Sequence, residues 1–196
     1  MLTLDSKTHI YSEDGIPVKV PNVTTILAEE RYSPDFSRVP YYLLEAGRDL
    51  GNNVHDVIKL SIAETLHYES TDPLLLEYNN RFWEFIQSVR AEIVASELIV
   101  RSKRWNYIGT LDLVLRIDGN LGIYDIKTGV PTKSAALQTM AYKLAFEEQT
   151  GLKIKFRAAL QLFPDEMAKL YPYKDKTDEE IWKAIVTTHN SRGRFL

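Results

Sequence analysis

The chain contains 196 residues, enough for one full domain but short for two. Hydrophobic residues make up 44% and charged residues 26%, a globular composition that excludes extended disorder and collagen-like repeats. The formal net charge of −3 argues against a generally basic, nucleic-acid-binding surface but leaves room for a local basic stripe. Because the chain has no cysteine, disulfides, thiolate zinc sites, iron–sulfur clusters and cysteine nucleophiles are excluded.

The sequence carries no targeting or membrane-spanning signal. Its N-terminus lacks a basic segment followed by an apolar one, and no apolar run approaches the ~18 residues of a membrane span. We therefore expect a cytoplasmic protein, bacterial or in a phage-infected host, with no signal peptide and no membrane contact.

The first half of the chain predicts a hairpin and three helices. Strand-like pieces at 9–11 and 16–20 flank an Asp-Gly turn, and a short helix at about 25–30 follows. Apolar residues at three-to-four spacing predict a helix over 41–66. Asp72-Pro73 is a helix start signal and predicts a helix from 74 to about 93. The aromatic stripe on that last helix favours core packing over a stacking platform for bases.

The second half predicts a β-rich block with two further helices. Strands are expected at 97–101, 107–117 and from 120 or 121 to 127, then a helix over 134–149 and a strand over 154–163. A capping box at 177–180 predicts a final helix to about 189. This order predicts an α/β sandwich around one mixed sheet, without a domain boundary.

The hairpin over 107–127 brings acidic residues together. A two-residue turn at 118–119 places Asp112 directly opposite Asp125, whereas a turn at 119–120 places Asp112 opposite Lys127. Both registers leave Asp112, Asp125 and Lys127 on one face, because strand side chains alternate. A three-residue loop would instead put the two acids on opposite faces.

The charge of two opposed carboxylates can be accommodated in three ways. Cβ atoms ~4.5–5.5 Å apart make like charges destabilising, so one acid can be protonated with a raised pKa. Both acids can instead lie at a solvated edge. The third outcome is a divalent cation between them, for which Mg²⁺ or Mn²⁺ suits a set of oxygen ligands.

Four short motifs surround this hairpin in a fixed order. They are Gly51-Asn52-Asn53-Val54-His55, Gly-x-x-Asp at 109–112, Asp-x-Lys at 125–127 and Gln-x-x-x-Tyr at 138–142. Together they resemble the RecB-like branch of the PD-(D/E)XK nuclease superfamily, including its phage exonucleases and mitochondrial genome maintenance exonucleases. The resemblance covers about 20–163, and the position before the first acid is Leu111 rather than proline, as is usual in this branch. It implies a single restriction-endonuclease-like domain over 1–196, with a central mixed β-sheet flanked by α-helices, a core at about 20–163 and a C-terminal helix at about 177–189.

The resemblance also implies a metal centre and a catalytic lysine. The implied ligands of one or two Mg²⁺ or Mn²⁺ ions are His55, Asp112, Asp125 and the backbone carbonyl of Ile126. An imidazole ligand favours Mn²⁺ over Mg²⁺. Lys127 is expected either to orient the attacking water or to stabilise the developing charge. Glu97 is expected to hold a water beside the metal or a second metal ion.

Further residues are expected to contact nucleic acid. The resemblance implies that Gln138 and Tyr142, stacked on one helix face, contact DNA or brace the catalytic lysine. A basic cluster before Trp105 and Tyr107 suits a phosphate track with base stacking, and it consists of Arg101, Lys103 and Arg104. Lys153, Lys155 and Arg157 alternate along a later strand. Taken alone, each basic cluster is also typical of a solvated face.

These expectations combine into a metal-dependent deoxyribonuclease, an exonuclease acting on DNA ends in phage or bacterial recombination, replication or repair. No iron–sulfur cluster is expected, since its cysteines are absent. A non-catalytic DNA- or protein-binding module on the same fold remains the alternative, and a glycosidase-like carboxylate pair is a more distant one. The small size leaves room for a recombination or helicase partner, and no residue specifies an oligomeric state.

Overall fold

The computed structural model of the chain describes residues 1–5, 8 and 10–192. Its strands are β1 Leu2–Asp5, β2 Ile10–Glu13, β3 Ile16–Pro17, β4 Glu92–Ser102, β5 Tyr107–Ile117, β6 Asn120–Lys127, β7 Ile154–Gln161 and β8 Lys169–Pro172. Its α-helices are α1 Val23–Glu29, α2 Tyr41–Ile62, α3 Pro73–Ser88, α4 Lys133–Thr150 and α5 Asp178–Arg192, and a 3₁₀ turn covers Tyr68–Ser70.

The N-terminal strands form a small antiparallel sheet in the order β1-β2-β3. Its β2–β3 turn has positive φ at Asp14 and Gly15, as a tight hairpin turn requires, and it confirms the predicted hairpin. His9, which that prediction included, lies outside the described residues. The sequence did not predict β1 as a strand.

The main sheet has five strands in the order β4-β5-β6-β7-β8. Only the β6–β7 pair in it is parallel, and α4 provides the crossover between these two strands. This mixed sheet confirms the predicted architecture. The β5–β6 turn has positive φ at Asp118 and Gly119 and pairs Ile117 with Asn120, which is the first of the two predicted registers.

Apolar side chains cover both faces of this sheet. On one face α2 and α3 pack against Leu113, Leu115, Tyr124 and Ile126. On the other face α1, α4 and α5 pack in a second cluster that includes Ile123 and Trp182. The result is a three-layer α/β sandwich, which positions the ends of β5 and β6 between α2 and α4.

Two predicted helices end earlier than expected, and the one predicted over 41–66 ends at Ile62. The helix predicted to reach about 93 ends at Ser88, and Ile93 lies in β4 opposite Leu115. Arg90 has a positive φ that turns the chain out of the helix. Apolar residues continue across this turn into the strand, so their spacing does not reveal the boundary. None of the helices in the described ranges is long and apolar enough to cross a membrane.

Candidate functional site

His55 connects α2 to the end of the main sheet. The neighbouring positions Val54 and Ile58 anchor α2 in the core, while the His55 ring stays about one quarter exposed. Its Nε2 lies 3.1 Å from the backbone oxygen of Ile126 and 3.9 Å from Asp112 Oδ2. Its Nδ1 lies 3.5 Å from Glu97 Oε1. One imidazole therefore faces a carbonyl oxygen and two carboxylates.

Glu97 reaches this site through an unusual backbone conformation. The pairs on either side of it place Glu97 across from Asp112 on the neighbouring strand. Its φ is +48°, a left-handed conformation that costs a residue with a side chain about 1–2 kcal/mol. Such strain is typical of functional sites. Here it occurs at the residue whose carboxylate turns towards His55.

Asp112 lies where the β5–β6 ladder ends. The last backbone pair joins Leu113 to Tyr124. Beyond it, Asp112 Oδ2 accepts a 2.7 Å hydrogen bond from the backbone N–H of Ile126. The carboxylate therefore takes the place of a ladder carbonyl and is held between the two strands.

Asp125 is 1% exposed and pairs with the catalytic-lysine candidate. Its Oδ2 lies 2.8 Å from Lys127 Nζ. Its Oδ1 is buried and has no hydrogen-bond partner among the described residues. A buried carboxylate oxygen without a donor is costly, and a further positive ligand at this atom would offset that cost.

The site concentrates negative charge in a buried place. Burial, together with the charge of Asp112, raises the pKa of Asp125 to about 6 against the opposing effect of Lys127. Burial also raises the pKa of Asp112. Burial lowers the pKa of His55, but the charge of Asp112 and the contact with Glu97 outweigh it and raise this pKa to about 9. Likewise, Asp125 and Asp112 outweigh burial and raise the pKa of Lys127. All four shifts favour the protonated form of the group, which reduces the excess negative charge of the carboxylates.

A cation fits this arrangement. Among the described residues, one ligand atom from each of His55, Glu97 and Asp112 lies within 4.8 Å of the other two. The carbonyl of Ile126 lies beside the same imidazole. Imidazole and oxygen donors of this kind suit Mn²⁺ or Mg²⁺.

The residues that the structure groups together differ from the metal ligands that the resemblance implies. His55, Asp112 and Ile126 come together as expected. Glu97, expected beside the metal, lies within ligand distance of the other two side chains. Asp125 is outside this three-residue group, and its carboxylate is paired with Lys127.

Gln138 and Tyr142 form a hydrogen-bonded pair on α4. Gln138 Nε2 donates to the Tyr142 hydroxyl over 3.1 Å. Tyr142 is buried, and its ring lies so close to Gly109 that a Cβ there would be 2.7 Å from Cε1. No described contact joins either residue to Lys127. The tyrosine therefore packs α4 onto β5, next to the acidic hairpin.

The predicted basic cluster is largely neutralised by acids. Arg101 pairs with Glu13, and Lys103 Nζ lies 3.5 Å from the same carboxylate. Glu148 accepts hydrogen bonds from the backbone N–H groups of Lys103 and Arg104. Arg104 is therefore the member of the cluster whose side chain has no acidic partner among the described residues. Its guanidinium lies over the Trp105 ring.

Two of the other residues expected along a DNA track are in the core. The predicted stacking role of Tyr107 is wrong, because its ring is fully buried edge-to-face against Trp182. Arg157 is also buried, and its guanidinium bonds to Asp178 over 2.7 Å. Lys153 pairs with an acid, so of the later basic strand only Lys155 remains an exposed cation without an ion pair in the described part of the chain.

Tyr173 belongs to this neighbourhood although no sequence pattern indicates it. Its hydroxyl is buried without a hydrogen-bond partner among the described residues. Burial, together with the charge of Asp125, raises its pKa to about 12 against the opposing effect of Lys127. The residue follows β8, a short exposed strand with no apolar alternation, so sequence spacing could not have located it.

A comparison with protein-family models gives a match that does not depend on the geometry of the site. The model of the PD-(D/E)XK nuclease superfamily matches residues 68–195, well over half of the chain. The match includes Glu97, Asp112, Asp125 and Lys127, whereas His55 precedes it. No curated protein matches the chain.

Proposed function

We propose, because the chain belongs to the PD-(D/E)XK nuclease superfamily, that it is a metal-dependent exonuclease that hydrolyses DNA phosphodiester bonds at DNA ends. Membership supports phosphodiester hydrolysis dependent on a divalent metal. The preference for ends, and a place in phage or bacterial recombination, replication or repair, rest on the similarity of its motifs to the RecB-like branch. The observation that carries the proposal is the grouping of His55, Glu97 and Asp112 within 4.8 Å of one another, beside the ion pair of Asp125 and Lys127.

The proposed metal ligands are His55, Glu97, Asp112 and the carbonyl of Ile126, with Asp125 available through its unpartnered oxygen. A divalent cation held by these groups supplies positive charge against the phosphate and makes water a stronger nucleophile. The hydrogen bond from Ile126 N–H orients Asp112 for this role. The ligand set includes a nitrogen donor, which supports Mn²⁺ as well as Mg²⁺.

Lys127 is proposed to stabilise charge on the phosphate. Asp125 holds its ammonium 2.8 Å from a carboxylate oxygen, on the sheet face that also carries Asp112. A fixed cation beside the reacting phosphate opposes the negative charge that develops in the transition state without any reorganisation. Asp125 thereby acts on the reaction partly through the position of Lys127.

We also propose that the segment before the family match belongs to the same domain. Val54 and Ile58 of α2 pack in the cluster that contains Leu113 and Ile126. His55 would therefore be held rigidly against the sheet. This packing supports one nuclease domain, with its core at about 20–163.

The test is cleavage of linear double-stranded DNA by purified protein in Mn²⁺ or Mg²⁺. Chelator, Asp112→Asn and Asp125→Asn should each lower the rate at least about hundredfold. Asp118→Asn, in the turn of the same hairpin, is the matched control and should cleave like the wild type, since Asn tolerates a positive φ. Equal rates for wild type and Asp125→Asn would refute the assignment.

A second substrate separates end-directed from internal cleavage. Covalently closed circular DNA should be cut much more slowly than the same DNA made linear. Equal rates would overturn the exonuclease proposal but leave the nuclease one. Salt-sensitive DNA binding without any metal-dependent cleavage would instead support the non-catalytic binding module.

A further inference from the structure

A groove with unpaired lysines lies beside the candidate active site. It has a volume of about 520 Å³ and is bounded by α4, β7 and the segment between β8 and α5. We call it the basic groove, and the side chains that define it are Lys143, Lys155, Lys174, Lys176, Phe156 and Tyr173. None of these four lysines forms a salt bridge within the described part of the chain. These four lysines, of which Lys143 acts electrostatically on Glu179, concentrate positive charge at one place in a chain with a net charge of −3.

Two acids also line the basic groove, and both are engaged. Asp175 accepts hydrogen bonds from the backbone N–H and hydroxyl of Thr177, at 2.8 and 2.7 Å. Glu179 pairs with Lys183 in the next turn of α5. These contacts leave the lysines as the groups available to a ligand, and the ligand they favour is an anion with several negative charges.

A β-bulge adds an aromatic side chain to this surface. Leu121 of β6 pairs with Ile154, but the next residue, Gly122, pairs with Phe156, so Lys155 is the extra residue. A bulge redirects side chains that would otherwise alternate between faces. The adjacent residues Lys155 and Phe156, which lie at this bulge, both line the groove, and Phe156 is 54% exposed.

The basic groove adjoins the candidate active site through Tyr173, which lines the groove and is close enough to Asp125 and Lys127 for their charges to act on its hydroxyl. Tyr124 and Ile126 pack under α2 and α3, so the alternating residues Asp125 and Lys127 share the opposite face, which α4 covers. The groove is bounded by this same helix, to which the lining residue Lys143 belongs. Arg157, a lining residue, pairs with β6 two residues before Asp125, about 7 Å along the strand.

We propose that the basic groove binds the backbone of a single DNA strand, with its lysines on phosphates and Phe156 stacked on a base. The inference rests on the proposed nuclease function, which supplies the reason for a polyanion next to Lys127. A single strand is favoured over an intact duplex because an exposed ring stacks on a base face that only an unpaired strand presents.

The test measures binding of a labelled 12-nucleotide oligothymidylate by fluorescence anisotropy, in chelator so that nothing is cleaved. Each phosphate contact contributes ~0.7 to the slope of log affinity against log salt for a single strand. Lys155→Gln/Lys176→Gln should therefore reduce the slope by about 1.4 and the affinity at 0.1 M salt by about 25-fold. Lys143→Gln/Lys174→Gln is an independent pair that should behave alike. Phe156→Ala should cost about fivefold or more on the oligonucleotide and nothing on a blunt hairpin duplex.

Arg81→Gln/Arg116→Gln removes the same charge from two arginines that are paired with Glu84 and Glu92 outside the groove, and it should leave affinity within about twofold. The proposal is overturned if both groove pairs bind like the wild type while melting normally, or if the control pair loses as much affinity. A blunt duplex that depends on Phe156 as strongly as the oligonucleotide would overturn the choice of a single strand.

Two readouts separate this proposal from the nuclease proposal. Hydrolysis of the small diester bis-p-nitrophenyl phosphate should be unchanged in both groove pairs, since this substrate does not reach the groove. If the wild type cleaves no DNA but its binding depends on the groove lysines, the nuclease proposal fails and this one stands. If it cleaves DNA and the groove variants bind normally, the reverse holds.

Discussion

Asp112 is expected to have two separable roles, one in holding the strands and one in holding a metal. Its carboxylate accepts the hydrogen bond of Ile126 N–H at the end of the β5–β6 ladder, and it belongs to the three-residue group that fits a cation. Asp112→Asn keeps an acceptor oxygen for the N–H but loses the charge. Asp112→Ala loses both. Comparing the two variants therefore distinguishes the hydrogen bond from the metal.

Without metal, the two variants should differ in stability. Asp112→Ala leaves the N–H of Ile126, a residue that is 2% exposed, without its acceptor, and an unsatisfied buried group costs about 1–3 kcal/mol. In a domain of this size each kcal/mol shifts Tm by about 2–4 °C. Asp112→Ala should therefore melt about 2–12 °C below Asp112→Asn in chelator. Equal melting temperatures would refute the bracing role.

With metal, the wild type should gain stability that both variants lack. Mn²⁺ at a hundred times its Kd adds about 2.7 kcal/mol, or about 5–11 °C in Tm. If Asp112→Asn weakens binding about a hundredfold, the same Mn²⁺ concentration adds only about 0.4 kcal/mol, or about 1–2 °C. Asp118→Asn is the control and should respond like the wild type. A full Mn²⁺ response in Asp112→Asn would show that this residue is not a ligand.

Three further predictions concern the surroundings of the site. The pKa of His55 is raised to about 9, and an imidazole must be neutral to bind a metal. Mn²⁺ affinity should therefore fall about tenfold for each pH unit below about 9. Calorimetry showing equal affinity at pH values of about 6 and 8 would contradict this. Gly109→Ala would place a Cβ 2.7 Å from the buried Tyr142 ring. Denaturant unfolding should therefore show that the free energy of unfolding falls by about 1–3 kcal/mol. An unchanged unfolding midpoint would mean that the ring moves freely. Arg157→Met should lower the free energy of unfolding by about 3–5 kcal/mol, because it leaves Asp178 buried without its partner. The double variant Arg157→Met/Asp178→Asn should recover part of that stability. No recovery would argue against a stabilising ion pair.

The main sheet could be predicted because its strongest signals are local. A turn at Asp118-Gly119 needs positive φ at two adjacent residues, and Asp and Gly tolerate this conformation. That requirement sets the β5–β6 register, which in turn places Asp112 across from Asp125. By contrast β8 has four exposed residues and no alternation, so nothing in its sequence distinguishes it from a loop.

The arrangement of ligands was less predictable because it depends on side-chain direction. Strand alternation puts Asp112 and Asp125 on one face, but Asp112 turns between the strands to reach Ile126 N–H, while Asp125 turns to Lys127. The position of Glu97 depends on a left-handed φ at a residue with a side chain, which no sequence pattern indicates.

The basic surface differs from its prediction for a similar reason. Whether a lysine is free depends on acids that are distant in sequence, such as Glu13 for Arg101 and Lys103. The bulge that exposes Lys155 beside Phe156 arises from the pairing of β7 with β6 rather than from alternation within β7.

The central claim is that His55, Glu97 and Asp112 share one divalent cation. Crystals grown with Mn²⁺, with data collected for anomalous scattering, test it directly. We expect one strong anomalous peak about 2 Å from His55 and from a carboxylate oxygen of both acids, with the Ile126 carbonyl beside it. A fully occupied Mn²⁺ peak elsewhere, or a His55 ring turned away from an ion at the two acids, would contradict the account.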